Sequence, residues 1–159
     1  MKTKLAFILL GISVLSGCVR GRFYPVQGPL STQTPVPVFK AKASGPFNSG
    51  NISVVLSDGE VCKGRWNGTE AFPIPTGAGP ASAPATNEMA SVWDAVYGQG
   101  FYLAHIVGNK DFARGIASGN RGTVLNVEMY RVTDKRPEDT TLFKGVAKDN
   151  KGNIYKVVL

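Results

Sequence analysis

Two side chains in this sequence could form a reacting pair. Cys62 and the single histidine, His105, would make an activated thiolate if folding brought them together, because a neighbouring base promotes attack by sulfur. Both sit in apolar-rich segments, residues 61–66 and 100–107, and not on loops or at a helix start. They therefore read as structural. Asp94 and Asp111 could pair as general acid and base, but so could the scattered acids of any chain this size. Cys and His spacing suited to zinc is absent. Gly98-Gln99-Gly100 follows a helical pattern instead of opening one, the wrong context for a phosphate loop. The expectation is no catalytic residue, no cofactor and no metal.

The third chemistry-bearing residue is Cys18. Met1-Lys2-Thr3-Lys4 precedes an apolar run from Leu5 to Leu15, followed by Ser16-Gly17-Cys18. A basic start, a short apolar core and small residues mark a secretory leader. The run is shorter than the ~20 residues a membrane-spanning helix needs. Leu15-Ser16-Gly17-Cys18 resembles the lipobox of bacterial lipoproteins. That resemblance implies cleavage before Cys18, acylation of its thiol (palmitate among the acyl groups) and of the new amino group, and a membrane as partner through the lipid. Val19 stands where Asp would divert sorting, which by the same resemblance implies the outer membrane and its periplasmic face. In a Gram-positive host the same anchor implies the outer face of the cell membrane.

Charge and cysteine count bound the partners. The full chain carries +7, and Lys2 and Lys4 belong to the leader. The remaining basic excess is dispersed, with no run of five like charges. At an envelope surface the matching partners are an envelope protein or an anionic envelope polymer, and export argues against nucleic acid. Acylation of Cys18 leaves Cys62 without an intrachain partner. The fold must then rest on a hydrophobic core and not on disulfides.

The elements that would position these residues are mostly strands. Residues 18–35 are rich in Gly, Pro, Ser and Thr and read as a lipidated, extended tether. Residues 36–43, 52–56 and 61–66 read as strands, with Asp58-Gly59 as a hairpin turn. Cys62 and Trp66 share a face, with Gly64 between them. Residues 67–86 are poor in large apolar groups and read as a loop. A helix over 87–97 is capped by Asn87, lines up Met89, Val92, Trp93 and Val96, and stops at Gly98. Residues 100–107 alternate as a strand, with Phe101, Leu103, His105 and Val107 on one face.

The last third contains a repeat. Residues 114–127 align without gaps to residues 144–157, with five identical positions. Each unit reads as a strand, an Asn-basic-Gly turn and a return strand. The closing unit also resembles the terminal hairpin of small exported bacterial lipoproteins, a resemblance that implies an antiparallel sheet and no activity.

Two candidate surfaces follow. Trp93, Tyr97, Phe101, Tyr102 and His105 either line a groove for a small ligand or glycan or fill a helix–sheet core. Arg114, Arg121, Lys144, Lys148 and Lys151 would form a basic edge if the repeated hairpins stack. The expected fold is mainly β: an antiparallel sandwich or small open barrel of about seven or eight short strands with one helix, built from residues 36–159 as one domain. The expected function is binding, as a structural or assembly partner in the cell envelope, with a small-ligand or glycan module as the alternative.

Overall fold

The computed structural model describes residues 18–45, 48–69, 88–133 and 139–159. The strands are β1 (Cys18–Gln27), β2 (Phe39–Ser44), β3 (Ser49–Val55), β4 (Val61–Thr69), β5 (Phe112–Gly119), β6 (Val124–Arg131), β7 (Phe143–Asp149) and β8 (Ile154–Val158), with one α-helix, α1 (Glu88–Tyr97), between β4 and β5. Each strand pairs antiparallel with the next. β8 returns to pair with β1, so the sheet closes into a barrel. The chain adopts a barrel, closed where the sequence reading has it open, and closure leaves no edge of the described sheet unpaired.

Period-two alternation assigns the two sides of the wall. Phe23, Phe39, Ile52, Val54, Cys62, Leu125, Val127, Met129, Tyr155 and Val157 turn inward and are buried. Eight strands leave an interior about wide enough for side chains to fill. Where neighbouring backbones come closest, only glycine fits. A Cβ on Gly64 would lie 1.7 Å from the carbonyl oxygen of Ile116, and one on Gly21 would lie 2.1 Å from that of Val158.

Three expectations change. Residues 18–27 are not a tether but the first barrel strand, paired with β2 and β8. The reason is alternation hidden beneath a loop-like composition: Arg20 and Arg22 point outward and are exposed, Phe23 is buried, and Gly21 is required by the close approach of β8. Residues 67–69, read as the start of a loop, extend β4. Residues 100–107 are not a strand but a short π-helical turn, Tyr102–Ile106. Gly98 and Gly100 adopt φ of 109° and 81°, the left-handed region that ends α1 and starts the turn. The contacts there follow a helical and not a two-residue period, with Tyr102 and Ile106 turned inward and Leu103, Ala104 and His105 exposed. The leader, the Asn87 cap and most of the 67–86 loop lie outside the described residues.

Adding a methyl group at Gly64 must displace backbone. We expect Gly64→Ala to lower stability to chemical denaturation by about 3 kcal/mol. Ser53→Ala, on the outer side of the adjoining β3, should stay within ~0.5 kcal/mol.

Candidate functional site

The aromatic stretch gathers into one cluster on the outside of the barrel. α1 lies against β7 and β8, burying Met89, Val92 and Trp93 with Ile106, Phe112 and Val146. Trp93 is fully buried, and its indole Nε1–H donates to Glu128 Oε2 at 2.7 Å. Its ring stacks on Tyr97 and Phe101 at 5.5 and 5.9 Å. Tyr97 stacks on Phe101 at 4.7 Å, and Phe101 meets His105 at 4.5 Å. Asp94 Oδ1 accepts the Tyr102 N–H at 3.0 Å, tying the π turn to the helix. The Tyr97 hydroxyl donates to the Gly145 carbonyl at 3.2 Å, and burial pushes this phenol up. All five residues therefore meet, but the faces of the stack are largely occupied by one another. His105 is its exposed end.

The basic residues of the repeat do not form a bare edge. Arg114 Nε donates to Glu128 Oε1 at 2.9 Å. Arg121 reaches the Asp58 carbonyl at 2.7 Å and its carboxylate at 3.3 Å. Lys148 pairs with Glu88, and Lys151 stands 3.7 Å from Glu60 Oε2. Lys144 lies on β7 opposite Val158. The acids that meet Arg121, Lys148 and Lys151 come from the β3–β4 turn and from α1. Sequence distance hid those neighbours.

The repeat's turns do a different job. They lace one end of the barrel together. Buried Glu60, from the β3–β4 turn, accepts from the Thr123 hydroxyl at 2.6 Å and from the Arg121 and Thr123 backbone N–H groups at 2.8 and 3.2 Å. These hydrogen bonds, the Thr123 hydroxyl foremost, hold its carboxyl at about 2 against an ordinary 4.5. Asn150, from the β7–β8 turn, donates to the Gly122 carbonyl and accepts from the Val124 N–H. Asn153 accepts the Leu30 N–H at 2.9 Å, joining the β1–β2 connection. Asp149 accepts from Asn153 and from the Tyr155 hydroxyl inside the wall. Gly122 and Gly152 take φ of 89° and 85°, as their Asn-basic-Gly sequences require.

Cys62 and His105 are on opposite sides of the barrel wall. Cys62 is fully buried in the interior, while His105 is exposed on the π turn. Burial, seconded by the nearby Glu60 charge, pushes the Cys62 thiol up to about 11, so it is protonated at neutral pH. Among the described residues no group of His, Cys, Asp and Glu could hold a metal ion. Cys18 is exposed at the first position of β1, at the end opposite the laced turns. An open groove of about 530 Å³ runs along the outside of β4–β6 beside α1, lined by Arg65, Asn67, Met89, Ile116 and Asn126.

Glu128 is the polar hinge of the α1 contact, and burial pushes its carboxyl up despite Trp93 and Arg114. Glu128→Leu strands a buried indole N–H and removes the Arg114 ion pair, so we expect a loss of about 2 kcal/mol in denaturation. Glu128→Gln, which keeps an acceptor, should lose less. Glu60 titrates at the other end. Its folded value lies below its unfolded one, so its contribution is complete above about 4.5 and is lost as pH falls through about 2. An acid titration of the melting temperature should fall less steeply for Glu60→Gln than for wild type.

No family model, curated protein or solved structure matches the chain.

Proposed function

We propose that this chain is a lipid-anchored envelope barrel that acts by binding, as a structural or assembly partner held at the periplasmic face of the outer membrane. The observation that supports it best is the place of Cys18. This residue is exposed, opens β1 and pairs with Ser44 of β2. Acyl chains on its sulfur and amino group would insert in the bilayer, and the barrel would follow directly with no spacer. Each buried methylene contributes ~0.8 kcal/mol, and two or more chains give a stable anchor where one does not.

The anchor also sets a polarity. Cys18 and the connections from β2 to β3 and from β6 to β7 share one end of the barrel, and the laced turns share the other. With lipid on Cys18 the laced end faces away from its point of insertion. The wall is unsuited to span a bilayer: its interior is apolar and its outer positions carry Arg and Lys, the inverse of a membrane-spanning barrel. A small ligand or glycan would find its contacts in the groove of Asn67, Ile116 and Asn126 more readily than in the 93–105 stack, whose rings largely cover one another.

The test is metabolic labelling with palmitate, followed by membrane fractionation in high salt. Wild type should take up label and sediment with membranes. Cys18→Ser should do neither while remaining folded. An unlabelled wild type, or a Cys18→Ser variant that still sediments in high salt, overturns the anchor.

A further inference from the structure

We propose that the outer wall of β1–β4 is a docking face for an anionic phospholipid surface. Six cations project from it, all exposed: Arg20 and Arg22 from β1, Lys40 and Lys42 from β2, and Lys63 and Arg65 from β4. The register brings like charges face to face, with Arg20 opposite Lys42 and Arg22 opposite Lys40. On β3, Ser53 lies between Lys42 and Lys63, and Asn51 lies beside Arg65. Across four strands ~4.8 Å apart, the six charges follow an arc of roughly 14 Å around the curved wall. Among the described residues, no acid takes an outward position on these four strands.

Like charges directly opposite each other weaken a strand pair, so folding gains nothing from this arrangement. The other half of the barrel is built differently. There Arg114 on β5 and Lys148 on β7 each meet an acid, Lys156 on β8 lies over the Tyr97 ring, and α1 covers the wall. Among the described residues, one wall is covered by α1 and the other carries cations with no acid beside them and no element over them. A field of one sign on a bare wall is matched by a surface of the other.

Two observations make that surface a membrane. Toward the laced end the same wall continues into apolar side chains. Val26, Val36, Val38 and Val55 are 44%, 45%, 48% and 44% exposed, four of the seven large apolar side chains this exposed among the described residues. Cations beside exposed apolar groups are the composition that settles into an anionic headgroup region, since both attractions add. The wall also continues from the anchor. Cys18, Arg20 and Arg22 alternate onto the same side of β1, so Arg20 stands ~7 Å and Arg22 ~13 Å along the strand from the acylation position. Lipid on Cys18 would bring the nearest of these cations within about a Debye length, 8–10 Å, of the headgroups. This last step rests on the proposed anchoring, whereas the charge and apolar pattern does not. The barrel then lies with its β1–β4 side on the bilayer and presents α1 to the compartment, with the β4–β6 groove, whose lining includes Arg65, at the border of the contact.

The experiment uses the full chain carrying Cys18→Ser, which has no acylation site, with vesicles of phosphatidylcholine alone or mixed equally with phosphatidylglycerol. We expect cosedimentation with the mixed vesicles only, weakened by added salt. Converting Arg20, Arg22, Lys40 and Lys42 to Gln should weaken it by about fivefold per charge. These are exposed outward positions whose like-charge pairs are removed, so the variant's melting temperature should equal or exceed that of the parent. Val26→Ser with Val38→Ser should reduce the binding that survives salt. No binding to mixed vesicles, equal binding to neutral ones, full binding by the four-Gln variant, or preference for a soluble sulfated polysaccharide over vesicles would overturn the docking face. Palmitate labelling is read separately, so failure of the anchor and failure of the face are distinguishable.

Discussion

The pairing of β8 with β1 is the constraint on which the rest of the molecule depends. Once the sheet closes, no backbone edge is left open, and the ends of the described chain become parts of the wall. Phe23 pairs with Val157, and Arg22 with Val158, so the first and last strands share a ladder that shifts register between Pro25 and Gln27. The approach is so close at Gly21 that a single added carbon would collide with the Val158 carbonyl. Closure also sorts every side chain into inside or outside. It turns the alternating β1 sequence into a buried Phe23 flanked by exposed arginines.

The interior and the two ends are stabilised by different physics. The interior is apolar packing, ringed by Phe23, Phe39 and Tyr155 at centroid distances of 6.1 and 5.8 Å. The laced end is a hydrogen-bonded girdle in which buried Glu60 collects donors from the neighbouring β5–β6 turn and buried Asp149 from its own β7–β8 hairpin. A buried carboxylate is tolerable only when its oxygens are so satisfied. The β5–β8 wall is then dressed by α1 through apolar packing, the buried Trp93–Glu128 contact and the Tyr97–Gly145 hydrogen bond, while no described element covers the β1–β4 wall. The asymmetry of function proposed for the barrel follows from that asymmetry of cover.

Much of the fold was legible because its signals are local. The repeat at residues 114–127 and 144–157 is β5–β6 and β7–β8, and its Asn-basic-Gly turns have the left-handed glycines their chemistry demands. The helix stops at its expected bound because Gly98 ends it, and its apolar spacing is helical. β1 was misread for an equally physical reason. Gly21 and Pro25 look like linker residues until a second strand explains them, Gly21 by contact with β8 and Pro25 by the register shift beside it. Residues 100–107 alternate like a strand, but two positive-φ glycines and the Asp94 hydrogen bond to Tyr102 favour a turn against α1. The candidate charges were half legible. The cations of the repeat were visible in the sequence, but their acidic partners were not.

By itself the sequence determined the class of the fold, the hairpin turns, the helix, and the segregation of apolar and charged residues along each strand. Those depend on dihedral preferences and on periods of two and 3.6 residues, which are written within a few neighbouring positions. Only the tertiary structure decided that the sheet closes, that Cys62 and His105 fall on opposite sides of a wall, and which cations are answered and which are not. Each of these depends on strand register and on contacts between residues far apart in the chain. Such contacts are set by which whole arrangement buries the most apolar surface while leaving its polar groups paired.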